Sequence, residues 1–162
     1  MKKLLALFLC SVLALGLAGC SEKEGEAQKG DGETSQEEEK SVYAVGETAE
    51  VDGIKITVNS TRVDEGLLPA KDGKIHFVLD ITLENTKDSE YSSSSLLCYE
   101  VKDGDGRKQS MSITANLNGT MDTKVAPGEK ATGEIAFETD PEGALTLTFT
   151  PAMGDSVQFN VR

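Results

Sequence analysis

The chain has 162 residues, a formal net charge of −12, one histidine, three cysteines and no tryptophan. An acidic surface repels phosphate backbones, which argues against nucleic acid as a partner, and it gives no charge-based hold on anionic lipid. The length from residue 42 onward matches one ordinary domain of ~100–150 residues, large enough to bury a core without a metal or a disulfide.

The first stretch reads as an address. Met1-Lys2-Lys3 is a short positive segment, and residues 4–17 are apolar apart from Cys10, Ser11 and Gly16. That run is shorter than the ~20 residues a spanning helix needs and it ends in small residues, as a secretory signal does. An uncleaved N-terminal anchor helix is the competing reading. Leu17-Ala18-Gly19-Cys20 resembles the bacterial lipobox, a branched apolar residue and two small ones before a cysteine. The resemblance implies cleavage after residue 19 and lipidation of Cys20, and so a lipid-anchored protein at the cell membrane, facing out of the cytoplasm. Loss of Lys2 and Lys3 with the leader takes the net charge from −12 to −14. Two or three acyl chains hold a protein stably at a bilayer, whereas one is marginal.

Residues 21–40, SEKEGEAQKGDGETSQEEEK, contain no large apolar side chain and more acids than bases. Such a segment cannot offset its ordering entropy by burial, so a disordered spacer is expected over residues 20–41. With Cys10 in the leader and Cys20 lipidated, Cys98 has no partner within the mature chain. It is expected to be a buried small apolar residue, with an intermolecular disulfide as the alternative.

From residue 42 to 162 the hydrophobic period is two. Ile54, Ile56 and Val58 alternate with polar residues, and Ile75, Phe77, Leu79, Ile81 and Leu83 form the longest alternating run. Leu97, Tyr99 and Val101 predict a third strand, and Met111, Ile113, Ala115 and Leu117 a weaker fourth. Ile135 with Phe137, Leu145 with Leu147 and Phe149, and Val157 with Phe159 and Val161 complete the set. Asp52-Gly53, Asp72-Gly73, Asp103-Gly104-Asp105-Gly106, Pro127-Gly128, Asp140-Pro141 and Gly154-Asp155 mark turns between them. About seven short strands with one apolar face each predict an all-β, antiparallel β-sandwich, with a small closed barrel as the alternative.

Four further stretches carry a family resemblance: Val45-Gly46-Glu47, Val51-Asp52-Gly53-Ile54-Lys55-Ile56-Thr57-Val58, Phe77 through Thr86, and Pro127-Gly128-Glu129 through Phe137. In this order they resemble a family of bacterial lipoproteins that carry an Ig-like domain of unknown function. That domain is similar to the mycobacterial immunoprotective secreted antigen. The resemblance implies an immunoglobulin-like sandwich and a location outside the cytoplasm, with no activity attached. The core tryptophan and inter-sheet cystine of antibody domains are absent.

The sequence offers little chemistry. Strand parity places His76, the chain's one histidine, opposite the Phe77 face and so toward solvent. The motifs HExxH, CxxC, P-loop and GxGxxG do not occur, so no cofactor is implied. Ser92, Ser93, Ser94 and Ser95 lack a nucleophile-elbow context. Asp103 and Asp105 are the one weak metal candidate, but an EF-type loop starting at Asp103 would place its bidentate Glu at Thr114, so a hairpin turn is the simpler reading. Tyr91 and the loop Gly66-Leu67-Leu68-Pro69 can offer apolar surface to a partner, although Leu67 and Leu68 are expected to pack at the loop's base. The reading is a non-enzymatic envelope module that binds an envelope or extracellular protein. Its alternative is a small-molecule or cation-binding accessory protein of an envelope transporter or sensor.

Overall fold

The computed structural model describes residues 42–71, 73–151 and 154–162. The leader, Cys20, the acidic segment 21–40 and Asp72 lie outside the described residues. The strands are β1 (Val42–Ala44), β2 (Thr48–Val51), β3 (Ile54–Asp64), β4 (Ile75–Asn85) and β5 (Tyr91–Ser93), followed after the one-turn helix α1 (Ser95–Cys98) by β6 (Tyr99–Asp103), β7 (Ser110–Met111), β8 (Thr123–Val125), β9 (Lys130–Thr139), β10 (Leu145–Phe149) and β11 (Val157–Asn160). They form a four-stranded sheet in the order β1-β11-β10-β6, a five-stranded sheet β2-β3-β4-β9-β7 and the small pair β5-β8. The two larger sheets pack as a β-sandwich. Among the described residues all strand pairings are antiparallel except β1 with β11, which run parallel.

The alternating residues build the core as their period dictates. Ile54, Ile56 and Val58 of β3, Phe77 to Leu83 of β4 at every second residue, and Ile135 and Phe137 of β9 face Tyr99, Val101, Leu145, Leu147, Phe149 and Phe159 of the other sheet. Tyr99 and Phe149 meet with ring centroids 5.1 Å apart. Cys98 is buried at the margin of this core and accepts a 3.4 Å hydrogen bond from the Tyr91 hydroxyl; Tyr91 is itself a core residue, which corrects its expected place as surface for a partner.

Turn chemistry fixes one end of the sandwich, termed here the near end. Asp52 (φ 49°) and Gly53 (φ 68°) both adopt positive φ, the condition for the tight type I′ hairpin that joins β2 to β3. Ala126-Pro127-Gly128-Glu129 closes with a 3.0 Å bond from Glu129 N to Ala126 O, and Gly128 takes φ 76° as a type II turn requires. Asn85, at the end of β4 and fully buried, ties these connections together. Its side-chain amide donates to Ser89 O and Val125 O (2.8 and 2.9 Å) and accepts from Lys87 N (3.0 Å). Its backbone bonds Glu129 O and Gly128 N. Thr86 fastens the neighbouring hairpin through Gly53 O. Several residues of the four stretches that carry the family resemblance are therefore turn and hub residues.

Two expected strands depart from the sequence reading. Residues 95–98 form a helical turn that exposes Leu96 and Leu97, so the third strand starts at Tyr99. Of the weak fourth strand only Ser110 and Met111 pair, with β9. The chain then leaves the sheet edge.

Candidate functional site

The site lies at the opposite, far end, on the outer face of the five-stranded sheet. A β-bulge between Val58 and Ser60 shifts the register of β3 against β4 by one residue. Asn59 fastens it, donating to Asp80 Oδ1 (2.6 Å) and Thr82 Oγ1 (3.0 Å). A one-residue shift exchanges the faces of every residue that follows. Arg62 and Asp64 therefore stand on the outer face opposite Val78 and His76, beside Glu134, Ala136 and Glu138 of β9.

Residues 112–118 cross this outer face. Ser112 N bonds Ala136 O (2.8 Å), Asn116 N bonds Asp64 Oδ2 (2.8 Å), and Asn118 N bonds Glu134 Oε2 (2.7 Å). Gly119 and Thr120 then fold round the β9 edge and Met121 enters the core. A Cβ on Gly133 would lie 2.6 Å from Thr120 O, so the wrap requires glycine there.

Arg62 is the centre of the lattice. Its guanidinium donates to Asp64 Oδ1 (2.8 Å), Glu134 Oε2 (2.9 Å) and the carbonyl of Asn116 (2.7 Å). Asp64 Oδ2 also receives Gly66 N (2.8 Å), so one carboxylate holds both loops. The donors at Asn116 N and Arg62 keep the Asp64 carboxyl far below the usual range, at about 2. Burial pushes the Glu134 carboxyl up, but Arg62 and Asn118 N outweigh it and leave it lowered. Hydrogen bonds to Glu134 and Asp64 raise the Arg62 guanidinium.

His76 is buried at 1% exposure, which corrects its expected solvent position. Strand parity places it on the outer face as read, but the crossing segment and the loop after β3 cover that face. Leu68 O is an acceptor only, so Nε2 carries a proton and donates to it (2.8 Å), while Nδ1 shares a 2.8 Å hydrogen bond with the Ser112 hydroxyl. Gly66 has φ 71°, and a Cβ there would meet Nε2 at 2.5 Å. The pair is thus sealed beneath its own loop. Every buried side-chain nitrogen and oxygen among the described residues has a partner.

This lattice carries an apolar crown. Leu67 N bonds Thr114 O (2.6 Å), joining the two loops, and Leu67, Leu68 and Ile113 are 77%, 62% and 92% exposed. The expected packing of Leu67 and Leu68 at the loop base is overturned: Leu68 contributes its carbonyl to His76 and turns its side chain outward. Beside the crown lies an open groove of about 600 Å³, lined by Lys71, Lys74, Arg107, Lys108, Glu138 and Asp140. Lys74 pairs with Asp140 at 3.0 Å and Lys71 with Glu138 at 3.7 Å.

Asp103 lines this groove, and Asp105 lines an adjoining cleft; both belong to a turn closed by Gly106 N to Asp103 O (2.9 Å). Asp103 accepts Arg107 N, Asp105 N and Gln109 Nε2, and these donors lower its carboxyl. Asp105 pairs with Arg107. Among the described residues no three His, Cys, Asp or Glu side chains converge as a metal site. Arg62, Glu134 and Asn116 were not legible as a cluster, since the bulge that gathers the first two leaves no mark on the hydrophobic period.

The sandwich is shared with solved structures at low identity. An uncharacterized β-sandwich protein of Clostridium difficile matches with a TM-score of 0.55 at 20% identity, over 87% of this chain and 100% of that one. The ycdA protein of Bacillus subtilis, described as a candidate lipoprotein, matches with a TM-score of 0.59 at 19% identity, over 70% of this chain and 38% of that one. The secreted protein MPT63 of Mycobacterium tuberculosis matches with a TM-score of 0.55 at 13% identity, over 74% of this chain and 95% of that one. These likenesses establish the fold. Residues 43–158 match the family described as Domain of unknown function (DUF4352), and the chain belongs to that family. No curated protein matches it.

Proposed function

We propose that this chain is a lipid-anchored, non-enzymatic envelope protein that binds another protein through its far-end loops. The observation that carries the reading is an exposed apolar crown, Leu67, Leu68 and Ile113, on loops braced by buried polar residues. A preorganised loop loses little entropy on binding, and apolar anchors on a rigid scaffold are what a protein partner can grip. Support for a non-enzymatic role comes from His76, which has both ring nitrogens engaged and is closed off from substrate.

Attachment through Cys20 and an immunoglobulin-like relation rest on the lipobox and on the sequence resemblance. The secreted and candidate-lipoprotein descriptions of two structural neighbours agree with a place outside the cytoplasm. A photo-crosslinking amino acid at Leu67 or Ile113, in cells, tests the binding role. Repeated capture of one envelope protein is expected, and capture at neither site, or equally at a surface position on the opposite sheet, would sink the idea. Cys20→Ser is expected to release the protein from the membrane fraction.

The groove beside the crown favours a second reading, a small-solute accessory protein, because it mixes four cations with carboxylates in a polar cleft. A solute or Ca²⁺ that raises the melting midpoint in a concentration-dependent way would move the assignment there.

A further inference from the structure

A second apolar feature, which the far-end reading leaves unused, lies where β6 begins, at the end of that strand away from Asp103. α1 is a single turn with Ser95 and Cys98 facing inward and Leu96 and Leu97 74% and 81% exposed. The turn is well fixed. Ser95 donates from its backbone and its hydroxyl to the Asp122 carboxylate, both at 2.8 Å, and Thr150 N bonds Cys98 O at 2.9 Å. Two adjacent leucines are therefore held outward by structure on both sides.

The strand register shows where the chain comes in. Val42 pairs with Gln158, Gln158 with Thr148, and Thr148 with Glu100, so Val42 is level with the second residue of β6. β1 then runs parallel to β11, away from α1. The polypeptide thus enters the sheet at the end where β6 begins, next to α1, with Cys20 lying 22 residues before Val42.

We propose that Leu96 and Leu97 rest on the bilayer that holds the chain through Cys20; the inference rests on the anchor reading above. At ~3.3–3.6 Å per residue, the intervening chain spans at most about 80 Å, so the end of the sheet where β1 begins stays within reach of the lipid surface. Two leucines would not hold a free protein on a membrane. For a tethered one the contact is intramolecular, with an effective concentration in the ~mM range, and a weak patch is then enough. The chain's negative charge means that the contact is made by apolar side chains and not by attraction to anionic headgroups. Docked this way, the domain would hold its far end away from the bilayer.

The test uses the full lipoprotein reconstituted in phosphatidylcholine vesicles, with a nitrobenzoxadiazole label on Leu97→Cys or, for comparison, on Leu67→Cys. Cys98 is buried, so unsubstituted protein serves as the labelling control. Lipids carrying a shallow nitroxide are expected to quench the label at position 97 several-fold more than the label at position 67. Adding phosphatidylglycerol to the vesicles, or salt to the buffer, is expected not to increase and not to abolish that difference, respectively. Equal quenching at both positions overturns the contact, as does a label at 97 that shifts blue without nitroxide quenching, the mark of a protein partner or a second copy. Flotation separates the two claims. Protein that floats without excess quenching at 97 loses the leucine contact and keeps the anchor, whereas protein that does not float loses both.

Discussion

At the near end the backbone of several connections converges on Asn85, an uncharged side chain with no contact with water. At the far end two loops converge on Arg62, Asp64 and Glu134, which are charged, with Arg62 retaining 37% of its side-chain exposure. Both are polar hubs that organise loops, yet the physics differs. A neutral, fully buried hub contributes through hydrogen bonds whose loss leaves partners stranded in a dry interior. A half-wet ionic hub contributes less to global stability and depends on pH. The near end is thus built to hold the fold, and the far end to hold a shape on its surface.

The largest effect should fall on the neutral hub. Asn85→Ala strands Val125 O in the core, releases Lys87 N and Ser89 O, and leaves a small cavity; it is expected to cost about 3 kcal/mol, read as a lowered urea midpoint with an unchanged slope. A cost under ~1 kcal/mol would remove the contrast between the two ends. Next is Gly66→Ala, where the new Cβ runs into His76 at a positive φ. About 1–3 kcal/mol is expected, with faster amide exchange at Leu67 and Asn116 while amides around Asn85 keep their protection.

The acid response should be smaller and confined to the far end. The Asp64 carboxyl is depressed to about 2, below its ordinary value near 3.8, so its stabilisation is in full force above pH ~4. It is lost as pH falls through about 2. The amide resonances of Gly66 and Asn116 are expected to titrate with that midpoint, and a midpoint near 4 would show that the brace is absent in solution. The smallest effect on stability is expected for Leu67→Ser with Ile113→Ser, within ~0.5 kcal/mol of the parent. The same change should abolish crosslinking. A large destabilisation would mean that the crown packs against its own domain.

Strand parity made the sandwich legible because β3, β4, β9 and β10 each send their alternating apolar residues inward, and Asp52-Gly53 and Pro127-Gly128 name their turns by chemistry. β1, β2, β5 and β8 leave no such mark in the sequence, since three or four residues are too few to establish a period. Periodicity says which residues share a face and not what covers it. Parity alone therefore puts His76 in water and reads Met111, Ile113, Ala115 and Leu117 as a strand. Their apolar alternation is real, but after Met111 the chain is drawn across the sheet by bonds to Asp64 and Glu134. The crown was visible only as an ambiguous pair of leucines.

The parallel seam between β1 and β11 also has a mechanical consequence. A pull on the chain ahead of Val42, directed away from the near end, acts along the axis of β1, so the hydrogen bonds to β11 are strained together and not one after another. A seam loaded in this shear geometry yields at higher force than one that unzips. Under the anchoring proposed above, drag on the domain would load the short first strand in this shear geometry.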